Sequence, residues 1–261
     1  MKIALMDSGI GLLAATAAVR RLRPDADLVL SLDPDGMPWG PRTPEDLTRR
    51  AVAVADAAAA HQPDALIIGC NTATVHALPT LRARLEPAIP VVGTVPAIKP
   101  AAAGGGPVAI WATPATTGSS YQRGLINDFA DGVTVTEVPC FGLAEAVEHA
   151  DESAIDAAVT AAAALTPLDV TTVVLGCTHY ELVAERIRAA VQRPDFPPLV
   201  LHGSAGAVAA QALRRLGEQP APEAEAKGTL TVLLSGREGK LPEPALAYAE
   251  GRLLHAVSPA Q

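Results

Sequence analysis

The sequence predicts an α/β protein made of two pseudo-twofold-related halves, each with a mainly parallel sheet. Three observations support this fold class. Short runs of β-branched or aliphatic residues alternate with longer amphipathic or alanine-rich segments, as they do in βαβ units. The alternation starts again near residue 107. In each half one aliphatic strand ends in Gly-Cys, at Cys70 and at Cys177.

The first half contains four predicted strands, three of them followed by a helix. The strands are expected at residues 2–6, 28–32, 65–69 and 90–95. The helices are expected from DSGIG to about Arg23, over 44–61, and from CNTA to about Leu85. The segment 44–61 opens with a proline and two acidic residues, which favour the first turn of a helix.

The second half repeats this order and is followed by a C-terminal strand and helix. Strands are expected at 107–112, 134–139, 171–176 and 198–202. Helices are expected to open at 113–125, to cover 142–165 as one helix or two, and to cover 177–191 and 205–216. The polar segment 217–228 is predicted to be an exposed loop, before a strand at 229–236 and a final helix.

The repetition is also visible in the letters of the sequence. KIALMDSGI is similar to PVAIWATPAT, and ALIIGCNTA is similar to TVVLGCTHY. Asp7 and Cys70 are 63 residues apart, and Thr113 and Cys177 are 64 residues apart. We therefore predict an internal duplication, with the two Gly-Cys ends at equivalent positions.

Composition excludes several classes of protein. The 261 residues are 49% hydrophobic and 18% charged, which indicates a globular chain. Aromatic residues make up 3%, and 20 basic against 28 acidic residues give a net charge of −8, so nucleic-acid binding is not expected. No signal peptide or membrane span is evident, and three cysteines do not form a disulfide framework. A soluble cytoplasmic protein with no membrane or nucleic-acid partner is expected.

Polar residues follow four of the predicted strands, at the sheet edge where α/β proteins bind ligands. The four clusters are Asp7-Ser8-Gly9, Cys70-Asn71-Thr72, Thr113 with Thr116, and Cys177-Thr178-His179. If the two halves face each other, the clusters converge on one cleft. The alternative is that each cysteine is a small buried apolar residue. Two cysteines at matched strand ends, each followed by hydrogen-bond donors, favour a site.

Two thiols on opposite sides of one substrate suit proton transfer at a stereocentre. A thiol has an ordinary pKa of about 8.5, which a helix N-terminus or a nearby cation lowers, so a thiolate can act as a base near neutral pH. One thiolate removes a proton, and the other thiol returns one to the opposite face. Asp7 and His179 are titratable companions of Cys70 and Cys177. No pyridoxal phosphate site is apparent: of four lysines only Lys99 lies mid-chain, where a loop or helix-start role is expected.

Five segments carry a resemblance to a known family over essentially the whole chain. They are DSGIGLL at 7–13, GCNTAT at 69–74, GTVPAIKPA at 93–101, ATPATTGSSYQ at 112–122 and LGCTHYELV at 175–183. In their order and spacing they resemble the glutamate racemases of the cofactor-independent aspartate/glutamate racemase superfamily. The resemblance implies two flavodoxin-like α/β domains with the active site in the cleft between them. It also implies no cofactor and no metal.

The resemblance assigns roles to individual residues. Cys70 would act on the D-enantiomer and Cys177 on the L-enantiomer, assisted by Asp7 and His179, and Glu145 aligns loosely with an acidic residue near the histidine. The substrate-binding residues would be Ser8, Asn71, Thr72, Thr113, Thr116 and Thr178. The domains would be 1–97 completed by 205–261, and 98–204. The protein would be a homodimer that takes glutamate and supplies D-glutamate for peptidoglycan.

The chain departs from the family pattern at three places. The turn after the first strand reads Gly9-Ile10-Gly11-Leu12, where an adjacent glycine pair is common. Pro38-Trp39-Gly40 stands where Pro-Tyr-Gly is usual, and these residues would line the side-chain end of the substrate pocket. Residues 202–206 read HGSAG where an Asp-Ser-Ala-Glu type of pattern is common, so the role of His202 is open. Cys140 lies on no matching motif and is expected to be structural.

Other functions remain open at this point. A sister racemase acting on aspartate, a hydantoin or another acid with an α-proton would share the two thiols. A Cys–His hydrolase or transferase would use Cys177 as nucleophile and His179 as base, and would leave Cys70 unused. An amino-acid-binding protein without catalysis is a further alternative. A metal site of Cys70, Cys177, His179 and His202 has no ligand spacing to support it.

Overall fold

The computed structural model describes residues 1–256, which form ten strands and ten α-helices. The strands are β1 (Lys2–Asp7), β2 (Asp27–Leu32), β3 (Ala65–Ile68), β4 (Val91–Val92), β5 (Val108–Ala112), β6 (Val135–Pro139), β7 (Thr172–Leu175), β8 (Val200–His202), β9 (Leu230–Leu234) and β10 (Arg237–Gly239). The helices are α1 (Leu13–Leu22), α2 (Pro44–Ala59), α3 (Asn71–Leu85), α4 (Ile98–Ala102), α5 (Ser120–Phe129), α6 (Leu143–Glu148), α7 (Glu152–Leu165), α8 (Ala184–Val191), α9 (Ala205–Leu216) and α10 (Ala249–Ala256).

These strands form two sheets whose central order is the same. The first sheet runs β10-β9-β2-β1-β3-β4, and the second runs β6-β5-β7-β8. All pairs are parallel except β10 with β9. Taken in chain order within each half, both sheets contain the order 2-1-3-4, which is that of flavodoxin-like folds. The predicted α/β class with mainly parallel sheets is confirmed.

The chain divides into two compact units. The first comprises Met1–Val95 and the chain from Ala205 onward, and the second comprises Pro96–Ser204. The predicted boundary after residue 97 therefore falls two residues later than the division in the structure. That these units are independent domains stays a prediction, and the part of the predicted segment 205–261 beyond residue 256 lies outside the described residues.

The C-terminal segment adds two strands to the sheet of the first unit. β9 pairs in parallel with β2, and Leu28 lies opposite Leu230. The buried guanidinium of Arg20 donates hydrogen bonds to the carbonyls of Pro24, Ala26 and Thr229, at 3.0, 2.7 and 2.9 Å. Burial lowers the pKa of Arg20, and the nearby Asp27 and Asp25 oppose that shift. Helix α1 is thus tied directly to the start of β9.

Several elements differ from the prediction. β4 is two residues long rather than six, because the chain leaves the sheet at Gly93, where a Cβ would lie 2.6 Å from Cγ2 of Thr74. The segment 142–165 forms two helices, since Ala150 adopts a positive φ between them and Asp151 caps the second. Short 3-10 turns precede α1 and α8. Helix α4 and strand β10 were not predicted.

The sheet register corrects one predicted equivalence between the halves. Met6 lies opposite Ile68 in the first sheet, and Trp111 lies opposite Leu175 in the second. Asp7 is therefore equivalent to Ala112, one residue before Thr113. The spacings of 63 and 64 residues are similar, but they are counted from Asp7 and from Thr113, which are not equivalent positions in the two sheets. Cys70 and Cys177 remain equivalent.

Each unit has its own buried core. Trp39, Leu47, Val54, Leu66 and Ile68 belong to the core of the first unit. Ile98, Val108, Ile110 and Val174 belong to the core of the second. Among residues 1–256, no helix has the length and hydropathy needed to cross a membrane.

Candidate active site

A glycine precedes each candidate cysteine because a neighbouring segment of the chain lies too close for a side chain. A Cβ on Gly69 would lie 2.8 Å from Cβ of Leu12, and one on Gly176 would lie 2.7 Å from the carbonyl oxygen of Trp111. The amide of Gly69 donates to the carbonyl of Met6, and that of Gly176 donates to the carbonyl of Trp111, both at 2.7 Å. The two Gly-Cys ends thus share one backbone arrangement, which places each cysteine at the end of a strand and the start of a helical turn.

Cys70 caps helix α3. Its Sγ accepts a hydrogen bond from the amide of Ala73 at 3.5 Å, and the residue is half-buried. The N-terminus of a helix favours negative charge, so this position supports a thiolate. Asn71 and Thr72 are the first two residues of the same helix, with Asn71 buried and Thr72 partly exposed. The predicted cluster Cys70-Asn71-Thr72 is therefore one helix start.

Two threonines, neither predicted as a functional residue, hold the segment that carries Cys70. The hydroxyl of Thr74 donates to the carbonyl of Cys70 at 2.9 Å and accepts from the amide of Thr94 at 2.9 Å. The hydroxyl of Thr94 donates to the carbonyl of Ile68 at 2.6 Å. Thr94 is 1% exposed. The sequence signal was present, since Thr74 lies in GCNTAT and Thr94 in GTVPAIKPA.

Asp7 and Ser8 lie at the end of β1, beside the strand that leads to Cys70. Both are buried. Oδ1 of Asp7 accepts from the amide of Ser8 at 2.6 Å and from its hydroxyl at 3.4 Å. Since β1 and β3 are neighbours in the sheet, Asp7 and Cys70 follow adjacent strand ends. The structure thus groups Asp7, Ser8, Cys70, Asn71 and Thr72 at one edge of the first sheet.

The side chain of Trp39, predicted to line the side-chain end of the substrate pocket, is buried within the first unit, and its contact with substrate stays a prediction. Its ring is 1% exposed and packs in the core of the first unit. Its Nε1 donates to Oδ2 of Asp33 at 2.9 Å. The neighbours Pro38 and Gly40 are exposed, and a Cβ on Gly40 would meet no atom within 4 Å. Substrate contact at Pro38 and Gly40 stays a prediction.

Cys177 begins a chain of three side chains in the second unit. Its Sγ lies 3.8 Å from Nδ1 of His179, and Nε2 of His179 lies 2.8 Å from Oε2 of Glu148. The side chains of His179 and Glu148 are 12% and 11% exposed. Thr178, between Cys177 and His179, is buried and begins the 3-10 turn Thr178–Val183. This thiol, imidazole and carboxylate can pass a proton to and from Cys177.

Glu148, and not Glu145, is the acidic partner of His179. Glu145 is exposed, and its carbonyl oxygen lies 2.8 Å from Nδ1 of His149. Both glutamates lie on α6, three residues apart, and α6 packs against the turn that carries His179. Both acidic residues are visible in the sequence segment LAEAVE, and only the packing of α6 shows which of them faces His179. The prediction that Glu145 is the acidic residue near His179 is therefore wrong.

Thr113 and Thr116 lie on the loop that follows β5, and their hydroxyl oxygens are 3.1 Å apart. Oε2 of Glu137, on β6, accepts from the amide of Gly118 and from Nε2 of Gln122, both at 2.7 Å. Glu137 therefore joins β6 to the C-terminal end of the loop that carries the two threonines, at Gly118, and to Gln122 on α5. Neither Glu137 nor Gln122 was predicted to take part in the site.

The unusual sequence at residues 202–206 is explained by Glu181. A Cβ on Gly203 would lie 2.3 Å from Oε2 of Glu181, so a larger residue there would displace the Glu181 carboxylate. Oε1 of Glu181 accepts from the amide and the hydroxyl of Ser204, at 2.7 and 2.8 Å. Glu181 lies on the same 3-10 turn as His179. Burial lowers the pKa of His202, the last residue of β8.

Cys140 is buried in the protein, and Lys99 contacts an aromatic ring. Cys140 is buried, and burial, with a smaller effect of Cys177, raises the pKa of its thiol to about 12. Nζ of Lys99 lies 5.9 Å from the centroid of the Phe129 ring, which is a cation–π contact. None of the three cysteines, all within the described part of the chain, is in a disulfide. Among residues 1–256, no three His, Cys, Asp or Glu side chains are grouped so that they could hold a metal ion.

The chain matches known proteins over most of its length. The model of the family described as Asp/Glu/hydantoin racemase matches residues 12–213. A glutamate racemase of Roseiflexus sp. (strain RS-1) is 42% identical over 195 residues, which are 72% of this chain and 70% of that protein. A glutamate racemase of Pseudomonas putida (strain W619) is 35% identical over 219 residues, which are 82% of this chain and 80% of that protein.

A solved structure has a similar fold. The crystal structure of Escherichia coli glutamate racemase, in complex with L-glutamate and the activator UDP-MurNAc-Ala, has a TM-score of 0.78 and 26% sequence identity, and the match covers 98% of this chain and 95% of that one. The family model, the relatives and the structure agree with each other. The chain belongs to the Asp/Glu/hydantoin racemase family.

Proposed function

We propose that this protein is a glutamate racemase that interconverts L- and D-glutamate by proton transfer between two cysteines, without pyridoxal phosphate. The observation that carries the proposal is the matched pair of strand ends. Cys70 and Cys177 follow equivalent strands, each after a glycine that admits no side chain, and each begins a helical turn. The curated relatives named glutamate racemase support glutamate as the substrate.

In the D-to-L direction the thiolate of Cys70 removes the α-proton. The C–H bond breaks, an S–H bond forms on Cys70, and the electron pair is delocalised into the substrate carboxylate. The thiol of Cys177 then gives its proton to the opposite face, so its S–H bond breaks and a new C–H bond forms. The enzyme is left with Cys70 protonated and Cys177 ionised, which is the state that starts the L-to-D direction.

The two units supply different assistance to these thiols. His179 lies 3.8 Å from Cys177, and Glu148 lies 2.8 Å from the other side of its ring. We assign His179 the exchange of protons with Cys177 and Glu148 the orientation of the imidazole. Asp7, on the strand beside Cys70, is assigned the corresponding role in the first unit. Ser8, Asn71, Thr72, Thr113, Thr116 and Thr178 are assigned to the ammonium and carboxylates of the substrate.

The biological setting is part of the same proposal. D-glutamate made by this reaction would feed peptidoglycan synthesis. A reducing compartment, the cytoplasm, is supported by three cysteines with no disulfide among them. A homodimer is proposed from the family resemblance alone. Size-exclusion chromatography with light scattering measures the molar mass of the protein at several concentrations. A mass of about one chain at every concentration would reject the homodimer.

The activity is tested with D-glutamate in D₂O, with a chelator and without added pyridoxal phosphate. Loss of the circular dichroism signal, with deuterium entering the α-position by proton NMR, is the expected result. Cys70→Ala and Cys177→Ala are each expected to abolish racemisation, and Cys140→Ala is the matched control that keeps it. Full activity in either of the first two variants would overturn the two-thiol mechanism. Turnover of aspartate or a hydantoin in place of glutamate would instead assign the chain to a sister racemase.

A second candidate is favoured by one observation. The series Cys177, His179, Glu148 is also an arrangement that activates a nucleophilic cysteine in hydrolases and acyl transferases. Such an enzyme makes no use of Cys70. Cys70→Ala therefore separates the two functions, because a hydrolase keeps its activity in this variant and a racemase does not.

A further inference from the structure

Asp33 is a buried carboxylate outside the predicted site with three side-chain partners on different segments. It follows β2 directly and is 4% exposed. Its Oδ2 accepts from Nε1 of Trp39 at 2.9 Å and from Arg50 at 3.3 Å. Its Oδ1 accepts from the hydroxyl of Ser235 at 3.0 Å. A buried charge is tolerated only when its hydrogen-bonding capacity is met, and these donors meet it from both sides.

The backbone of Asp33 reaches a fourth segment, which belongs to the proposed site. The amide of Asp33 donates to the carbonyl of Ser8 at 3.1 Å. One residue therefore contacts the Asp7-Ser8 turn through its backbone and the Pro38-Trp39-Gly40 loop through its side chain. Ser8 in the first segment is assigned to substrate binding, and the family resemblance predicts that the second segment lines the side-chain end of the substrate pocket.

The turn after Asp33 packs tightly over its carboxylate. A Cβ on Gly36 would lie 1.9 Å from Oδ2 of Asp33 and 2.2 Å from the guanidinium of Arg50, so a larger residue there would displace these two side chains. The amide of Gly36 donates to the carbonyl of Asp33 at 3.0 Å. The loop that follows is thus anchored at Gly36 by close packing and at Trp39 by the indole hydrogen bond. Its exposed residues, Pro38 and Gly40, are placed by these anchors.

We infer that Asp33 is a positioning residue that fixes the Pro38-Trp39-Gly40 loop relative to the Asp7-Ser8 turn, and so sets the length of the dicarboxylic amino acid that the enzyme accepts. The inference rests on the proposed function. It follows from two hydrogen bonds of one residue, Asp33 N to Ser8 O and Trp39 Nε1 to Asp33 Oδ2. It gives the buried ring of Trp39 a role as an anchor and not as a contact with substrate.

The test compares Asp33→Asn with Asp35→Asn. Asp35 is two residues away, half-exposed and paired with Arg237, so it is a control for charge and for local sequence. Asp33→Asn is expected to raise KM for glutamate by about tenfold while kcat changes by less than about threefold, and to lower the preference for glutamate over aspartate. Asp35→Asn is expected to leave KM, kcat and that preference unchanged.

A spectroscopic readout shows whether the anchor has been lost. The chain has two tryptophans, so the indole N–H region of its proton NMR spectrum contains two signals, which Trp39→Phe assigns. Asp33→Asn is expected to move the Trp39 signal and to leave that of Trp111, whose Nε1 donates to Thr166. Trp39→Phe removes the same hydrogen bond while keeping Asp33 with Arg50 and Ser235, and is expected to raise KM in the same direction. Trp39→Phe replaces Asp33→Asn in the kinetic test if Asp33→Asn does not fold.

The outcomes separate this inference from the proposed function. A moved Trp39 signal with unchanged KM and selectivity, in an active wild-type background, would overturn the role of Asp33 and leave the racemase intact. An unmoved Trp39 signal in Asp33→Asn would overturn it as well. A wild-type enzyme that turns over no amino acid would overturn the proposed function, and the selectivity role of Asp33 with it.

Discussion

Nε2 of His179 lies 2.8 Å from Oε2 of Glu148, and the opposite ring nitrogen faces the sulfur of Cys177. A carboxylate on one side of an imidazole fixes its orientation and stabilises its protonated form. The thiol on the other side therefore has a proton-transfer partner that is held in place. This relationship makes Glu148 a positioning residue that acts through His179.

Glu148→Gln is expected to lower kcat and to shift the acid limb of the pH–rate profile, because the imidazolium loses its charged partner. The loss should be smaller than that of His179→Asn, for which general acid–base catalysis sets a scale of about 10²–10⁴-fold. Glu145→Gln, on the same helix and exposed, is the matched control and should leave the profile unchanged. Equal profiles for Glu148→Gln and the wild type would show that the contact has no part in the reaction.

Gly176→Ala is expected to destabilise the protein by about 1–3 kcal/mol, because the new Cβ must displace the backbone of Trp111. Gly124→Ala is its counterpart within the second unit. Gly124 lies inside α5, and a Cβ there would meet no atom within 4 Å. It should therefore stabilise the protein by about 0.5–1 kcal/mol. Urea denaturation of both variants measures the difference, and the same sign for both would contradict the account of the Gly-Cys ends.

Thr94→Val is expected to cost about 1–3 kcal/mol, because the buried carbonyl of Ile68 loses its donor. The same change should lower kcat by roughly ten- to hundredfold, since the segment that carries Cys70 is no longer fixed. Thr94→Ser keeps the hydroxyl and should recover most of the rate. A Thr94→Val enzyme with wild-type kcat would mean that Cys70 needs no support from this residue.

His202 is expected to make the protein less stable in mild acid. Burial lowers its pKa in the folded state below the ordinary value of about 6.5, so the unfolded chain binds more protons between the two values. The free energy of unfolding therefore falls as pH drops below about 6.5, and His202 makes no difference above that range. His202→Gln should reduce this fall, and His76→Gln, at an exposed position on α3, should not. Thermal unfolding at pH 7 and pH 5 compares them, and identical behaviour of both variants would contradict the prediction.

Much of the fold was predictable because its elements have clear periodicity. The aliphatic runs that form β1, β3, β5 and β7 are buried strands of a parallel sheet, and the Gly-Cys pairs mark two of their ends. Strand β10 could not be predicted. It consists of three exposed residues that pair only because Ser235 and Gly236 both adopt a positive φ in the turn before it.

The sequence predicted which residue types form the candidate site, but it did not predict which way some of their side chains face. Cys70, Cys177 and His179 lie where strand ends put them. The choice between Glu145 and Glu148 depends on how α6 is rotated against the turn that carries His179, and no local pattern encodes that rotation. The inward position of Trp39 likewise depends on its hydrogen bond to Asp33, a residue just after β2 for which no role was predicted from the sequence. Tertiary packing decided both cases.

Early turnover in D₂O tests most directly whether two monoprotic thiols share the reaction. D-glutamate is incubated to a few per cent conversion, and the deuterium content of product and recovered substrate is measured after chiral separation. If two thiols take part, the L-glutamate formed carries deuterium at the α-carbon, because the thiol of Cys177 has exchanged with D₂O and delivers a deuteron. The recovered D-glutamate carries almost none, because Cys70 only removes a proton from it. The L-substrate should give the mirror result through Cys70. Equal labelling of substrate and product, or return of the original proton to the product, would contradict the two-thiol mechanism.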